Sequence, residues 1–397
     1  MHTPTRSRLR RVPSLLVALG LTACAAPPAV DDSQRAIING EPSGADDDAA
    51  VGIGLFTDSG QFAGACSGVL IASNLVLTAR HCVSAVEESP IACSSDGTPI
   101  VGGGVVSDYA PGNLRILLGP ELSFTFAANG MQLITLGNDN LCDSDIALLV
   151  LDRQIPGAPI AQIRLDTPPV VDEKVRAVGW GLANDSDALI RRKRDDIPIT
   201  IVGPNDLVGL GAHEFAIGEG ICQGDSGGPA FAETTKAVIG VVSRGGNGHP
   251  YNPKTDPPYT QCLDADGYVT ENIYTRTDAY KDFILMGFQM AGAEPWVEGG
   301  PDPRKAKFGE ACSADADCRS NVCLPGKGSA PGMCSTSCDA QTSCEKGFSC
   351  QKIDGRSVCA AKKKGCSAVP DPVESAASLV VGALLLVVLR RRARLAA

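Results

Sequence analysis

From Ile37 to Gly292, short apolar runs alternate with breaks rich in Gly, Pro, Asn and Asp. The runs SGVLIASNLVLTA (67–79), IALLVL (146–151), KVRAVGWG (174–181) and KAVIGVVS (236–243) are dominated by Val, Ile, Leu and Ala. Short apolar runs bounded by turn residues predict β-strands. One stretch reads differently. Asp278–Ala291 (DAYKDFILMGFQMA) crowds Phe283, Ile284, Leu285, Phe288 and Met290 closely enough to lay one face of a helix on a core. Strands throughout with a single closing helix predict an all-β barrel or sandwich. The next stretch, 293–308 (AEPWVEGGPDPRKAKF), mixes Pro, Gly and charge and predicts a linker.

Both ends carry addressing patterns. Arg6, Arg8, Arg10 and Arg11 precede the apolar run PSLLVALGLTA (13–23), the layout of a signal peptide over 1–23. The tetrad LTAC (21–24) resembles a bacterial lipobox, which implies lipidation of Cys24. Residues 24–36 then read as the lipobox cysteine followed by a polar propeptide. At the far end, Ser375–Leu389 is apolar and is followed by RRRAR, too short for a free membrane-spanning helix. With GCS (365–367) upstream, the tail 366–397 resembles a myxobacterial-type C-terminal sorting signal, which implies processing and anchoring at Cys366. A plain membrane anchor is the other reading. Either one tethers the protein to the cell envelope, exported, at the surface or the outer membrane, with release also open.

Between the linker and the tail, eight cysteines fall in the segment 309–361, spaced C-x5-C-x4-C-x10-C-x3-C-x5-C-x5-C-x8-C. So short a module cannot bury enough apolar surface to hold itself, so disulfides are the expected staple. Eight cysteines allow 105 pairings, and sequence does not choose among them. A weak repeat sets CSADADCRSNVC beside CDAQTSCEKGFSC. The segment contains no His, so no metal is assigned to it. No cofactor motif occurs elsewhere in the chain.

Charge narrows the partners. The whole chain carries 35 basic and 45 acidic residues, a balance of −10. Residues 1–23 hold 4 basic and no acidic residues and 366–397 hold 4 and 2, so the stretch between carries 27 against 43, or −16. An acidic exported protein is soluble, reads as a monomer, and does not suit nucleic acid.

The chemistry lies in GICQGDSGGPA (220–230). A serine hydroxyl is a weak nucleophile unless a base adjoins it and an acceptor orients that base. His81 stands in LTARHC (77–82) at the end of one apolar run, and Asp145 in DSDIALLVLD (143–152) at the start of another. Asp143 is a rival to Asp145 at this point, while His213 and His249 read as surface residues.

TARHC, DIALL and GDSGGP, in this order, resemble the trypsin/chymotrypsin family of serine endopeptidases over about Ile37–Gly292. The resemblance implies two six-stranded antiparallel β-barrels with a C-terminal helix, here followed by the small disulfide-rich module. It implies protein or peptide substrates, with Ser226 as nucleophile, His81 as general base and Asp145 as the orienting carboxylate. The same resemblance selects Asp145 over Asp143 and implies that Asp143 is solvated. The N–H groups of Gly224 and Ser226 form the implied oxyanion hole. Bridges Cys66–Cys82 and Cys222–Cys262 are implied by the same likeness. Cys93 and Cys142 then remain as the third pair of this region, which AVGWG (177–181) also marks as similar to the family.

IING (37–40) resembles the family's mature N-terminus, implying a zymogen cut at Ala36–Ile37 whose new amine pairs with Asp225. The implied specificity pocket departs from the family in several places. Gly220 stands at its base with Glu219 beside it, and Ser243, Gly245 and Asn272 on its walls. Arg244 replaces a usual aromatic and Asn272 a frequent glycine. These departures weigh against a trypsin-like basic preference, although Glu219 or Glu271 could supply a negative charge. Two other readings stand beside the endopeptidase: an unproductive protease-like adhesion or binding protein displaying the cysteine module, and an esterase. GDSGG in place of a GxSxG elbow disfavours the esterase.

Overall fold

The computed structural model describes residues 37–362, apart from 88–89, 122–124, 182–189, 250–253, 255, 257, 266 and 327. The signal segment, Cys24, the propeptide and the tail with Cys366 lie outside the described residues. The chain divides into two compact units, with the boundary between Lys305 and Ala306.

The first unit contains the two barrels expected from the sequence. Strands β1 (Ala50–Phe56), β2 (Phe62–Ala72), β3 (Leu75–Thr78), β4 (Leu114–Leu117), β5 (Phe126–Thr135) and β6 (Ala147–Leu151) close in the order β5-β6-β3-β2-β1-β4. Strands β7 (Lys174–Gly179), β8 (Arg192–Val202), β9 (Glu214–Ile217), β10 (Pro229–Ala232), β11 (Val238–Gly246) and β12 (Glu271–Arg276) run β8-β7-β10-β11-β12-β9. The β8–β9 pairing closes this second barrel, and Glu41–Pro42 adds to the outside of β8. All of these pairings are antiparallel.

Burial on both faces explains why the strands read as unbroken apolar runs. Successive side chains on a strand point to opposite faces. Val76, Ala147, Leu149 and Leu151 fill the first barrel, while Leu75, Leu77, Leu148 and Val150 face outward. The outward set packs on Trp180, Phe231 and Val238 and on the helix α1 (Lys281–Ala291). The interface between the barrels is therefore itself a core.

The helix begins at Lys281, after a 3₁₀ turn over Asp278–Tyr280. Phe283, Ile284 and Phe288 are buried as expected, and Leu285 is partly buried. Met290 is 44% exposed and does not join the core. Gly287 lets the helix close on Leu148, whose Cδ1 a side chain there would strike. Gly292, left-handed at φ 64°, ends the helix.

The first half of the expected linker is docked instead of free. Ile163 N donates to Trp296 O at 2.9 Å, and Glu298 N to Ile163 O at 2.9 Å. Arg164 then holds Glu298 at 2.6 Å and Glu173 at 2.7 Å. Trp296 and Val297 cover apolar surface on the barrels, which is why this segment adheres.

In the second unit Cys312–Cys323, Cys318–Cys334, Cys338–Cys350 and Cys344–Cys359 are bridged. Each half thus pairs its first cysteine with its third and its second with its fourth, so the weak sequence repeat is a repeat of disulfide topology. Val322, Leu324, Val358 and Ala360 form its small core. Among the described residues, no helix is long and apolar enough to cross a membrane.

Candidate active site

The barrels bring three separated sequence positions to one interface. His81 lies on the 3₁₀ turn Arg80–Cys82 directly after β3. That turn is pinned by the Cys66–Cys82 bridge and by buried Arg80, which donates to Ser84 Oγ at 2.7 Å and Asp108 at 2.6 Å. Asp145 precedes β6, and β6 pairs with β3 through Ala147 and Thr78. The pairing sets the imidazole and the carboxylate at the same barrel end.

Asp145 is fully buried, so each of its oxygens needs a donor. His81 N donates to Oδ1 at 3.0 Å, while His81 Nδ1 meets Oδ2 at 2.8 Å and Ser243 Oγ donates to Oδ2 at 2.7 Å. Burial works against the charged imidazolium, but the Asp145 charge and hydrogen bond outweigh it, and the His81 pKa lies above its usual value. Burial also pushes Asp145 up. Attraction to His81 and the bonds from His81 and Ser243 overcome this and hold it below the usual carboxylate range. An ionised Asp145 fixes the proton on Nδ1 and leaves Nε2 as an acceptor.

Ser226 sits in a loop stitched to both barrels. Ser67 N donates to Ser226 O at 2.8 Å, and Gly227 N to Val242 O at 2.9 Å. Gly227, at φ 74°, lies so close to the first barrel that a side chain would strike Thr78 Oγ1 and Ser67 O. Gly224, at φ 95°, is held by Ser67 Oγ donating to its carbonyl at 3.1 Å. Glycine is required here by the turn and by the close approach.

Asp225 faces away from the solvent and is also fully buried. Its carboxylate accepts Cys222 N at 2.9 Å, Gly181 N at 2.9 Å and Ile37 N at 3.1 Å. In an uncut chain the Ile37 nitrogen is a peptide N–H. Burial pushes the Asp225 pKa up to about 6, against the pull of these three donors. Ile37 and Ile38 are wholly buried around it.

Ser226 opens on a cavity of about 910 Å³. Ser243, Gly245 and Asn272 line it, together with residues on the bridged segments Cys222–Cys262 and Cys93–Cys142. Glu219 is turned elsewhere, accepting Asn39 Nδ2 at 2.7 Å and Asp264 N at 3.0 Å. Glu271 lines the cavity, yet its Oε2 is buried and partnerless. Burial raises its pKa, opposed by a bond from Thr200 and assisted by Asp264.

Two polar pairs beside Asp145 were not foreseen. Arg244 turns inward, forming an ion pair with wholly buried Glu214 and donating to Gly209 O at 3.0 Å. Glu214 also accepts Gly211 N at 2.8 Å and Asp143 N at 3.2 Å. Asp143, expected to be solvated, instead pairs with His213 at 2.8 Å. His213 is 48% exposed but is thereby tied down, and its ring packs edge-on against Tyr280. A charged residue at 244, where the resemblance led us to expect an aromatic, was the one available signal. His249 stacks edge-on against Tyr268 at 4.7 Å.

Two measurements probe these buried charges. Arg244→Met strands the Glu214 carboxylate and is expected to cost about 3–5 kcal/mol in urea unfolding. Adding Glu214→Gln is expected to recover most of that loss. For Asp225, folding favours the protonated carboxyl. Its stabilising share is complete below the unfolded value near 3.9 and is lost as pH rises through about 6. An uncut Ser226→Ala chain is therefore expected to lose about 2 kcal/mol more between pH 4 and pH 7 than one also carrying Asp225→Asn.

A family profile described as Trypsin matches residues 38–265. The chain is 29% identical over 237 residues to a protein C activator of Agkistrodon piscivorus leucostoma, covering 54% of this chain and 80% of that protein. It is 28% identical over 271 residues to a trypsin of Saccharopolyspora erythraea, covering 65% of this chain and 100% of that one. The solved structure of HL collagenase aligns over 65% of this chain and 100% of its own, at 18% identity and a TM-score of 0.43. The match runs through the segments carrying His81, Asp145 and Ser226, and the chain belongs to the trypsin family of serine endopeptidases.

Proposed function

We propose that this chain is an exported, surface-tethered serine endopeptidase, made as a zymogen, in which Ser226, His81 and Asp145 form the catalytic triad. The observation that carries the reading is the buried Asp145, bonded at once to His81 Nδ1 and Ser243 Oγ, in a body that holds Ser226 on the wall of a large cavity. Ser226 Oγ attacks the carbonyl carbon of the scissile peptide while its proton passes to His81 Nε2. The tetrahedral intermediate places its oxyanion on the N–H groups of Gly224 and Ser226. Its collapse breaks the C–N bond, with His81 returning the proton to the leaving amine and an acyl ester remaining on Ser226. Water, deprotonated by His81, then releases the acid and restores the serine. Throughout, Asp145 keeps the imidazole oriented and stabilises its charged form.

Cleavage at Ala36–Ile37 converts the Ile37 peptide N–H into an ammonium already adjacent to Asp225. An opposite charge at that distance lowers the Asp225 pKa and turns a costly buried carboxyl into an ion pair. That pair orders the loop that carries Gly224 and Ser226. The same cut separates the enzyme from a lipid on Cys24 and leaves the tail at Cys366 as the tether. The linker, the cysteine-rich module and the tail form the stalk and anchor in this reading, with the enzyme acting as a monomer on proteins or peptides and without cofactor or metal.

The test is a fluorophosphonate probe on residues 25–365, before and after limited proteolysis, with label and N-terminus mapped by mass spectrometry. Label on Ser226 is expected only with a new N-terminus at Ile37. Full activity in a chain starting at Ala36 or earlier overturns the zymogen step. Absence of label despite the Ile37 terminus overturns the enzyme reading in favour of a binding protein. In the active form, catalysis requires neutral His81, whose pKa is raised. The acid limb of kcat/KM is therefore expected at a pH above histidine's usual 6.5. Asp145→Asn is expected to lower kcat by about 10⁴-fold.

A further inference from the structure

We propose that Asn272 is a specificity-determining residue: it bars the pocket beside Ser226, so that the bond cleaved follows a small uncharged residue such as Ala, Ser or Val. This rests on the endopeptidase reading above and names its substrate class.

Asn272 lies on β12, in register with Ile217 at the end of β9 on one side and with Gly245 on β11 on the other. Its amide nitrogen donates to Gly218 O at 2.8 Å, just past the end of β9. Its amide oxygen occupies the place that a side chain at position 245 would take. The side chain thus spans the gap between the two walls, and at 2% exposure it is held there by packing. The consequence is visible in the cavity: Asn272 lines it, whereas Gly220 is buried and does not. Behind the bar, an atom added at Gly220 would touch Ile197 Cδ1 at 3.1 Å and Ile217 Cδ1 at 3.2 Å. The base is closed and apolar.

No carboxylate answers a basic side chain at that base. Glu219 is committed to Asn39 and Asp264. Glu271 precedes Asn272 on the same strand, and neighbouring strand positions project to opposite faces. Its carboxylate accordingly lies on another part of the cavity wall from Asn272, where burial raises its pKa and works against the charged form. Elsewhere Ile91, Ile100, Leu207 and Val208 line the cavity together with the polar Ser94, Ser95 and Asp206, so it offers apolar patches to residues flanking the cleaved bond. A narrow pocket rejects larger side chains by clash, and an apolar one rejects charge by desolvation.

The experiment is a kcat/KM profile of the activated enzyme on peptides with apolar flanks. They differ only at the residue whose carbonyl is attacked: Ala, Ser, Val, Leu, Phe, Lys, Arg or Glu. Ala, Ser or Val is expected to exceed Phe, Lys and Arg by about tenfold or more. Asn272→Gly removes the bar and is expected to raise Leu and Phe about tenfold relative to Ala. Fluorophosphonate labelling of Ser226 separates a folded variant from an unfolded one, and Asn272→Ser serves if the glycine variant fails to fold. Preference of the parent enzyme for Lys, Arg or Phe overturns the proposal, as does a labelled variant with an unaltered profile. Label on Ser226 without cleavage of any peptide overturns the substrate class alone. No label and no cleavage overturns the endopeptidase reading beneath it.

Discussion

Two buried carboxylates govern this protein. Asp145 and Asp225 are both wholly inaccessible, and a charged group in that position is tolerable only where donors surround it. Those donors come from chain segments far apart in sequence: His81 and Ser243 for Asp145, and Cys222, Gly181 and Ile37 for Asp225. Docking of the two barrels is what assembles both sets. The apolar outer faces of β3 and β6 drive that docking, pressing on Trp180, Phe231 and Val238. Hydrophobic burial brings the segments together, and the buried charges then admit only one register between them.

The two sites differ in completeness. Asp145 has an ionisable partner and is held below the usual carboxylate range, whereas Asp225 has only amide donors and is pushed up to about 6. One arrangement is electrostatically finished in the single chain, and the other is one charge short. A covalent change at Ile37 would supply that charge. Asp225 adjoins Ser226 in the chain, so in the proposed activation such a charge would act directly beside the Gly224–Ser226 loop.

Two side chains shape the surroundings of the cavity. Arg244 reaches from the cavity wall to Glu214, and Asn272 crosses from Gly218 to Gly245. The β11–β12 ladder shifts register between Val242 and Arg244 and pairs Asn272 directly with Gly245. The second unit follows a different rule. Its apolar core is small, so four bridges in two repeats of one topology maintain its shape.

Much of this was legible in the chain. The strand runs, the closing helix and the cysteine-dense segment follow from local pattern, because side-chain periodicity and turn residues act over a few positions. The motifs around His81, Asp145 and Ser226 likewise singled out the candidate residues. Long-range pairing was legible only where the family resemblance implied it, as in Cys66–Cys82 and Cys222–Cys262. Met290 continues an apolar helical pattern yet faces solvent, Trp296 lies in a linker-like sequence yet docks, and Asp143 sits in a polar run yet is paired with His213. Of the 105 ways to join eight cysteines, the sequence chose none. By itself, then, the sequence determined the elements and the chemical groups available. Only the tertiary structure decided that Asp143 meets His213, that Glu214 meets Arg244 and that Asn272 reaches Gly218. Those outcomes depend on distances between segments that no local preference encodes.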